Sequence, residues 1–200
     1  MTKMFDVRNS DAFGRLRDTE KVAQSIFFNA PLYVPGLLQE PAYAQEMICG
    51  ISGLPAEDPE AVERIAVRNA RHTALVERLQ GDNAPQVYAV IDESVLRRAR
   101  IGSDTMRRQI EHLIEISRQP TVHIGIIPVD RGPHPGLAGS YEVHDGANGG
   151  LLFVEGADGD RILDDDPERI ALYRDLVGSL MGTAAADEEA RTLMGKLVKG

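Results

Sequence analysis

Asp92 and Glu93 are the residues whose type and position best fit a binding or catalytic site. They directly follow residues 86–91, an apolar and β-branched stretch that predicts a mostly buried strand. Open α/β sheets tend to place ligands at the carboxyl ends of their strands. A carboxylate there could accept hydrogen bonds from a cationic or hydroxyl-bearing ligand, or act as a base if burial raised its pKa. The alternative is structural, with Asp92 capping the turn at residues 93–98 or pairing with an arginine.

His134 is the second candidate, because it lies in a loop between a predicted buried strand at 121–127 and a predicted hairpin. Loops on a rigid scaffold often carry function. Glycine–proline pairs flank it at 132–133 and 135–136, and they favour a defined bend with hinge-like ends. We therefore expect this loop to fold over the strand end at Asp92.

This geometry predicts a ligand pocket at the carboxyl edge of the sheet. The two carboxylates would form one wall, the arginine that follows them a second wall, and the histidine loop the lid. Apart from the arginine, the same residues are the only plausible acid–base set in the sequence. The predicted ligand-binding residues are Asp92, Glu93, Arg97, His134 and Tyr141.

We expect neither a metal site nor a cofactor. Cys49 is the only cysteine, so the chain has no Cys-x-x-Cys pair, and no two histidines have the spacing of a helical metal pair. The G-x-S-x-G elbow and the Walker and Rossmann glycine patterns are absent. The acidic residues between 158 and 166 lack the spacing of a calcium loop, and they favour a solvated rim and a helix cap.

Five arginines fall within twelve residues and form the most basic part of the chain. Guanidinium groups bind phosphate and carboxylate oxygens in a bidentate manner, so the cluster could recognise an anion. Alternatively, Glu93, Glu111 and Glu115 neutralise it in surface ion pairs of little energy. The five residues are Arg97, Arg98, Arg100, Arg107 and Arg108.

The scaffold predicted for these residues is an α+β single domain, with a small mixed sheet that contains a βαβ unit and a hairpin and is covered by helices. The βαβ unit consists of residues 86–91, a helix from Ser103 or Asp104, and residues 121–127, which implies two parallel strands. The hairpin pairs residues 140–143 with 151–155.

The longest predicted helix runs from Pro59 to about residue 80, because Asp58 can cap it and a proline suits its first turn. Its predicted buried face consists of Val62, Ile65, Ala66, Val76 and Leu79, and its remaining surface carries Glu63, Arg64, Arg68, Arg71 and Arg78. Further helices are predicted at 11–24, at 41–49, after Asp166-Pro167 and after Gly182.

Four motifs follow one another in a fixed order. They are residues 32–39 (Leu-Tyr-Val-Pro-Gly-Leu-Leu-Gln) with Tyr43, residues 90–98 (Val-Ile-Asp-Glu-Ser-Val-Leu-Arg-Arg), Gln109 with Leu113, and residues 134–141 (His-Pro-Gly-Leu-Ala-Gly-Ser-Tyr). Together they resemble the C-terminal domain, of unknown function, of antitoxin-like Xre-type transcriptional regulators of actinobacteria. The resemblance covers about residues 20–198. It implies a sensing or partner-binding domain that acts through dimerisation.

In that family the domain follows a helix-turn-helix module. Here only about thirty residues precede Leu32, too few for a module of roughly 60 residues, so we expect no direct DNA binding. The net charge of −9 also argues against a broad nucleic-acid surface. The sequence has no signal peptide and no run of about 18 apolar residues, which predicts a cytoplasmic protein without a membrane partner.

Two functions remain open at this point. The first is a stand-alone domain that senses a small molecule or binds a small partner protein, and that forms a homodimer. The second is a small-molecule enzyme of secondary metabolism on the same scaffold, with acid–base chemistry by Asp92, Glu93 and His134. No motif specifies a reaction class, so the sequence favours the first.

Overall fold

A mixed sheet of seven strands runs through the computed structural model, which describes residues 11–98, 103–147, 149–156 and 160–199. The strands are β1 (Ser25–Ala30), β2 (Gln86–Asp92), β3 (Val122–Ile127), β4 (Tyr141–Gly146), β5 (Gly149–Val154), β6 (Arg161–Leu163) and β7 (Ala185–Ala186). Their order is β6-β5-β4-β1-β2-β3-β7. The three central strands β1, β2 and β3 are parallel, and the outer pairs are antiparallel.

The helices of the described chain are α1 (Asp11–Glu20), α2 (Pro41–Ser52), α3 (Pro59–Leu79), α4 (Glu93–Leu96), α5 (Ser103–Ile116), α6 (Pro167–Met181) and α7 (Glu188–Lys199). Three of them begin with an acid followed by proline. In each case the acidic side chain accepts hydrogen bonds from first-turn N–H groups, and the proline occupies a position whose N–H has no helical partner. The caps are Glu40, Asp58 and Asp166.

Side chains alternate between the two faces of the sheet, and both faces are covered. Ile26 and Phe28 of β1 point to the first face, where they form one core with buried residues of α2, α3, α5 and α7. Phe27, Val90 and Val143 belong to a second core on the other face, against α6. A smaller core joins α1 to β5. Sites on opposite faces are therefore separated by the sheet.

The predicted α+β fold with a mixed sheet is confirmed, including the βαβ unit β2–α5–β3 and the hairpin β4–β5. The sequence did not predict β6 or β7. They have three and two residues, and none of these is fully buried. Strands this short leave no periodic apolar pattern.

The predicted buried face of α3 was partly wrong. Its buried residues are Ala61, Arg71, Leu75 and Leu79, whereas Val62 is 51% exposed. The error has a physical cause, because the hydrophobic pattern assigns every arginine to the solvent side. Arg71 can be buried because it forms an ion pair with Glu20, a contact that a hydrophobic pattern cannot predict.

No helix in the described ranges has both the length and the apolar composition required to cross a lipid bilayer.

Candidate functional site

Asp92 and His134 lie together at the carboxyl edge of the sheet. Asp92 Oδ2 is 3.1 Å from His134 Nε2, and both side chains are largely buried. Asp92 also caps α4, where its Oδ1 accepts a hydrogen bond from the Ser94 N–H at 2.9 Å. Burial acts to raise the pKa of Asp92. The hydrogen bonds with Ser94 and His134 outweigh it and keep that pKa below its ordinary value.

Glu93 binds the loop that contains His134, which we call the His134 loop (residues 128–140). Its Oε2 accepts a hydrogen bond from the Val129 N–H at 3.0 Å. Its Oε1 accepts one from Arg97 Nε at 2.7 Å. Arg97 is therefore paired within its own turn, as the sequence alternative of neutralised arginines predicted.

Asn29 holds the same loop from the end of β1, a contact that no sequence pattern predicted. Its Nδ2 donates to the carbonyls of Gly136 and Gly139, both at 2.7 Å. A Cβ at Gly136 would lie 2.7 Å from the Asn29 Oδ1, so glycine is needed there for the close approach. Two strand ends thus hold the His134 loop in place.

Tyr141 begins β4, where it pairs with Asn29 of β1. It packs against α6, where its ring meets Tyr173 edge-to-face with 4.8 Å between centroids. Its hydroxyl donates to the Tyr173 carbonyl at 3.2 Å. Burial raises the pKa of Tyr141, so it remains a neutral phenol.

None of the three cavities described below is bordered by Asp92, Glu93, Arg97 or His134. The hydrogen bonds of Asp92, Glu93 and His134 connect the end of β2, α4 and the His134 loop. This agrees with the alternative that Asp92 has a structural role as a cap. A ligand-binding role for these residues stays a prediction.

The arginine cluster is spread over separate ion pairs. Arg107 lies 3.4 Å from Asp104 and 3.5 Å from Glu111, and Arg108 lies 3.8 Å from Glu40. Arg98 is exposed, and Arg100 lies outside the described residues. The described members therefore do not converge on one anion site.

A cavity of about 330 Å³ lies between α1, α2, α3 and the β4–β5 hairpin, and we call it the apolar cavity. Its sheet residues Glu142 and Phe153 are in register with Phe28, so they lie on the first face. Asp92 is two residues after Val90 on β2 and so points to the second face. The cavity is lined by Phe13, Leu32, Tyr33, Gln39, Met47, Ile48, Ile51, Arg64, Val67, Arg68, Arg71, Glu142, Phe153, Glu155, Gly156 and Asp160.

The helix α2 gives the cavity an apolar wall. Its lining residues are Met47, Ile48 and Ile51, none of which can form a strong hydrogen bond. Ile51 and Leu32 are 52% and 50% exposed, so apolar side chains also reach solvent at the cavity. A ligand entering here would meet hydrophobic surface first.

The motif at residues 32–39 forms a second wall, contributing Leu32, Tyr33 and Gln39. Side chains bind its backbone closely. Gln39 Nε2 donates to the Val34 carbonyl at 2.8 Å. The fully buried Gln109 of α5 donates to the Leu38 carbonyl at 2.9 Å and accepts from the Glu40 N–H at 2.8 Å. Two of the four motifs thus fix this wall.

A buried ion pair and a buried contact between a carboxylate and a histidine lie close to the cavity. Arg71 forms a bidentate pair with Glu20. Burial acts to lower the pKa of Arg71, but the charge and hydrogen bonds of Glu20, together with the charge of Glu142, outweigh it and raise that pKa. Glu142 Oε2 is 3.0 Å from His144 Nε2. Burial acts to raise the pKa of Glu142, but His144, Arg71 and Arg68 outweigh it and lower that pKa. Glu142 is therefore a carboxylate at neutral pH.

Glu20, Glu142 and His144 are the described residues that could hold a metal ion, with one ligand atom each within 4.8 Å of the others. Carboxylate oxygen and imidazole nitrogen are both zinc ligands. However, Glu20 already binds the Arg71 guanidinium, whose positive charge opposes a second cation. The cluster fits a buried ion network better than a metal centre.

Glu155 and Asp160 also line the apolar cavity. Burial, with the charge of Asp160 as a second cause, raises the pKa of Glu155 to about 7. Burial also raises the pKa of Asp160. Near neutral pH, Glu155 is therefore a hydrogen-bond donor in part of the molecules and a carboxylate in the rest.

Two other cavities are less suited to a ligand. One of about 20 Å³ borders the apolar cavity at Tyr33 and Glu142 and has room for about one water molecule. The other, of about 410 Å³, is an open depression around His123 and Asp187 with mainly polar walls. Small-molecule sites are usually concave and mostly apolar, which favours the apolar cavity.

This cavity was not predicted from the sequence, although one signal for it is present there. Arg64, Val67, Arg68 and Arg71 have the i, i+3, i+4, i+7 spacing of a single helical face. The hydrophobic pattern of α3 placed these three arginines on the solvent side, although they share one helical face with Val67. The remaining lining residues come from distant parts of the chain, and no local pattern connects them.

Comparison with known proteins gives one result. A family model described as "Domain of unknown function (DUF5753)" matches residues 13–196. No curated protein and no solved structure matches the chain.

Proposed function

The chain belongs to the DUF5753 family, and we propose that it is a ligand-binding domain that takes one small, mainly apolar molecule into the apolar cavity. The observation that carries this proposal is the cavity itself. Its volume of about 330 Å³ lies within the range of about 300–1,000 Å³ that is typical of small-molecule sites. Apolar walls with a few polar groups at one end are also typical of such sites.

The second part of the proposal is that binding serves sensing. It is supported by the resemblance of the four motifs to the C-terminal domain of Xre-type actinobacterial regulators. Two of these motifs, residues 32–39 and Gln109, form or support a wall of the cavity. A ligand that contacts this wall would stabilise its arrangement against α5, and such a change can be passed to a partner.

Homodimerisation, or assembly with a small partner protein, belongs to the same proposal, as does the lack of direct DNA binding. Light scattering at micromolar concentration is expected to report a dimer. Fluorescence anisotropy with duplex DNA is expected to give no sequence-dependent affinity near ~10⁻⁸ M.

We do not propose the enzyme alternative, since Asp92, Glu93 and His134 border none of the three cavities.

Binding of the neutral apolar fluorophore N-phenyl-1-naphthylamine, compared between two variants of α3, tests the proposal. Val67 lines the cavity, whereas Val62 is half-exposed on the same helix and does not. Val67→Phe fills part of the cavity and is expected to weaken binding by roughly tenfold or more, which corresponds to about 1.4 kcal/mol. Val62→Phe introduces the same side chain outside the cavity and is expected to bind like the unchanged protein.

The melting temperature of Val67→Phe is expected to stay close to that of the unchanged protein, because the added ring enters empty space. Equal binding by both variants, or no binding by the unchanged protein, would refute the proposal.

A further inference from the structure

Arg68 differs from the other two arginines of the cavity face of α3. Arg64 pairs with Glu60 at 2.6 Å, and Arg71 pairs with Glu20. Among the described residues, no carboxylate lies within ion-pair distance of Arg68. Within the described part of the chain, Arg68 Nη1 donates one long hydrogen bond, of 3.4 Å, to Gln39 Oε1. A guanidinium has five N–H donors, so most of its capacity is unused.

Three carboxylates act on Arg68, those of Glu142, Glu20 and Asp160, and the first two are engaged elsewhere. Glu20 binds Arg71, and Glu142 binds His144. They act on Arg68 only over longer distances. Burial lowers the pKa of Arg68 to about 10, so it remains charged at neutral pH. Arg68 is partly exposed. A charge that is partly removed from water without a contacting carboxylate is costly, and a bound anion would reduce that cost.

The chain makes room for the Arg68 side chain in this position. A Cβ at Gly36 would overlap the Arg68 guanidinium. Gly36 belongs to the motif at residues 32–39, whose Gln39 also contacts Arg68. One segment therefore provides the space for the guanidinium, a polar contact to it and part of the apolar wall.

We propose that the apolar cavity binds an amphipathic carboxylic acid, with its carboxylate on Arg68 and its hydrocarbon part against α2. This inference rests on the proposed function, because it assigns a ligand class to the same cavity. Carboxylate matches the planar fork of a guanidinium in a bidentate geometry. A doubly charged phosphate fits less well, since Glu142, Glu155 and Asp160 border the same end.

The cavity volume sets the size of the ligand. About 330 Å³ corresponds to roughly ten water-sized groups at about 30 Å³ each. A ten-carbon chain with one head group is of this size, so decanoate is the probe. Decan-1-ol and decylamine have the same chain with a neutral and a cationic head.

The experiment measures how each of the three probes displaces N-phenyl-1-naphthylamine from the full chain. Decanoate is expected to bind roughly ten- to a hundredfold more tightly than decan-1-ol, the range expected for a charge-assisted hydrogen bond. Decylamine is expected to bind no more tightly than the alcohol.

Two variants test the role of Arg68. Arg68→Gln is expected to remove the preference for decanoate while leaving decan-1-ol affinity within about threefold. Gly36→Ala keeps the guanidinium but displaces it, and is expected to weaken decanoate binding likewise. Arg118→Gln, at an exposed residue outside the cavity, is the matched control and is expected to change nothing.

The melting temperature without ligand separates a binding role from a structural one. Arg68→Gln is expected to melt at the same temperature as the unchanged protein or higher, because it removes a charge without a contacting carboxylate. A clear loss of melting temperature would indicate a structural role and overturn the inference.

The result also distinguishes the two proposals. If the fluorophore binds but decanoate shows no advantage over decan-1-ol, or if decylamine binds best, the inference fails and the proposed function stands. If Val67→Phe does not weaken fluorophore binding, the proposed function fails as well.

Discussion

At the scale of single residues, the side-chain amide of Gln109 has a large structural effect. It is fully buried and bonds two backbone groups of the segment that forms one wall of the apolar cavity. The Leu38 carbonyl is buried and the Glu40 N–H is partly buried, and the amide satisfies both groups. A residue in the helix of the βαβ unit thus holds one wall of a cavity that its own side chain does not line.

Gln109→Leu keeps the approximate size of the side chain but removes both hydrogen bonds. Because the Leu38 carbonyl and the Glu40 N–H would be left buried without partners, we expect a loss of about 2–4 kcal/mol in the free energy of unfolding. Urea denaturation measures it. Gln45→Leu, at an exposed position of α2, is the control and is expected to stay within about 0.5 kcal/mol. A similar small change for Gln109→Leu would contradict this account of the wall.

At the scale of elements, α2 is the part of the scaffold most affected by what the cavity contains. Only Tyr43 and Ala44 of this helix are buried, and Met47, Ile48 and Ile51 line the cavity. An element with few buried contacts opens more readily than the core. Ligand contacts would therefore contribute a larger share of the stability of α2 than of α7, which provides no lining residue.

Hydrogen exchange with and without N-phenyl-1-naphthylamine measures this difference. At a ligand concentration of ten times Kd, we expect amide exchange in α2 to slow by roughly tenfold, because opening the helix would release the ligand. Exchange in α7 is expected to slow less. Equal slowing in both helices would mean that the cavity is not closed by α2.

The elements also show how far the sequence can predict this molecule. Acid–proline pairs at Asp58 and Asp166 and the apolar runs of β2 and β3 are local signals, and the corresponding elements are confirmed. The approach of His134 to Asp92 followed from topology, because parallel strands end at one edge. The apolar cavity depends on tertiary contacts such as Arg71 with Glu20, 51 residues apart, which no local pattern contains.

At the scale of the whole molecule, Glu155 links stability to pH. Its pKa is raised from 4.5 to about 7, so between these values the folded chain keeps a proton that the unfolded chain has lost. Its contribution to stability is fully present below pH 4.5 and is lost as pH rises through about 7. His112 acts in the opposite direction, since burial lowers its pKa to about 4 and stability is lost as pH falls below about 6.5.

Glu155→Gln isolates the first effect. We expect this variant to become more stable relative to the unchanged protein as pH rises from 5 to about 7, because only the unfolded chain has lost the Glu155 proton in this range. Above about pH 7 the difference is expected to level off. Chemical denaturation at unit pH intervals measures the difference. Glu189→Gln, at an exposed position of α7, should give a difference that does not vary with pH. A flat difference for Glu155→Gln as well would refute the link.

The shortness of the two edge strands affects how this protein can associate. An edge strand offers unpaired N–H and C=O groups to any other strand, and long exposed edges are templates for β-aggregation. Here β6 has three residues and β7 has two, and β7 with the Asp187 N–H covers residues 124–126 of β3. Few backbone groups are presented for continuation of the sheet. Concentrated solutions of the folded protein are therefore expected to resist fibril formation.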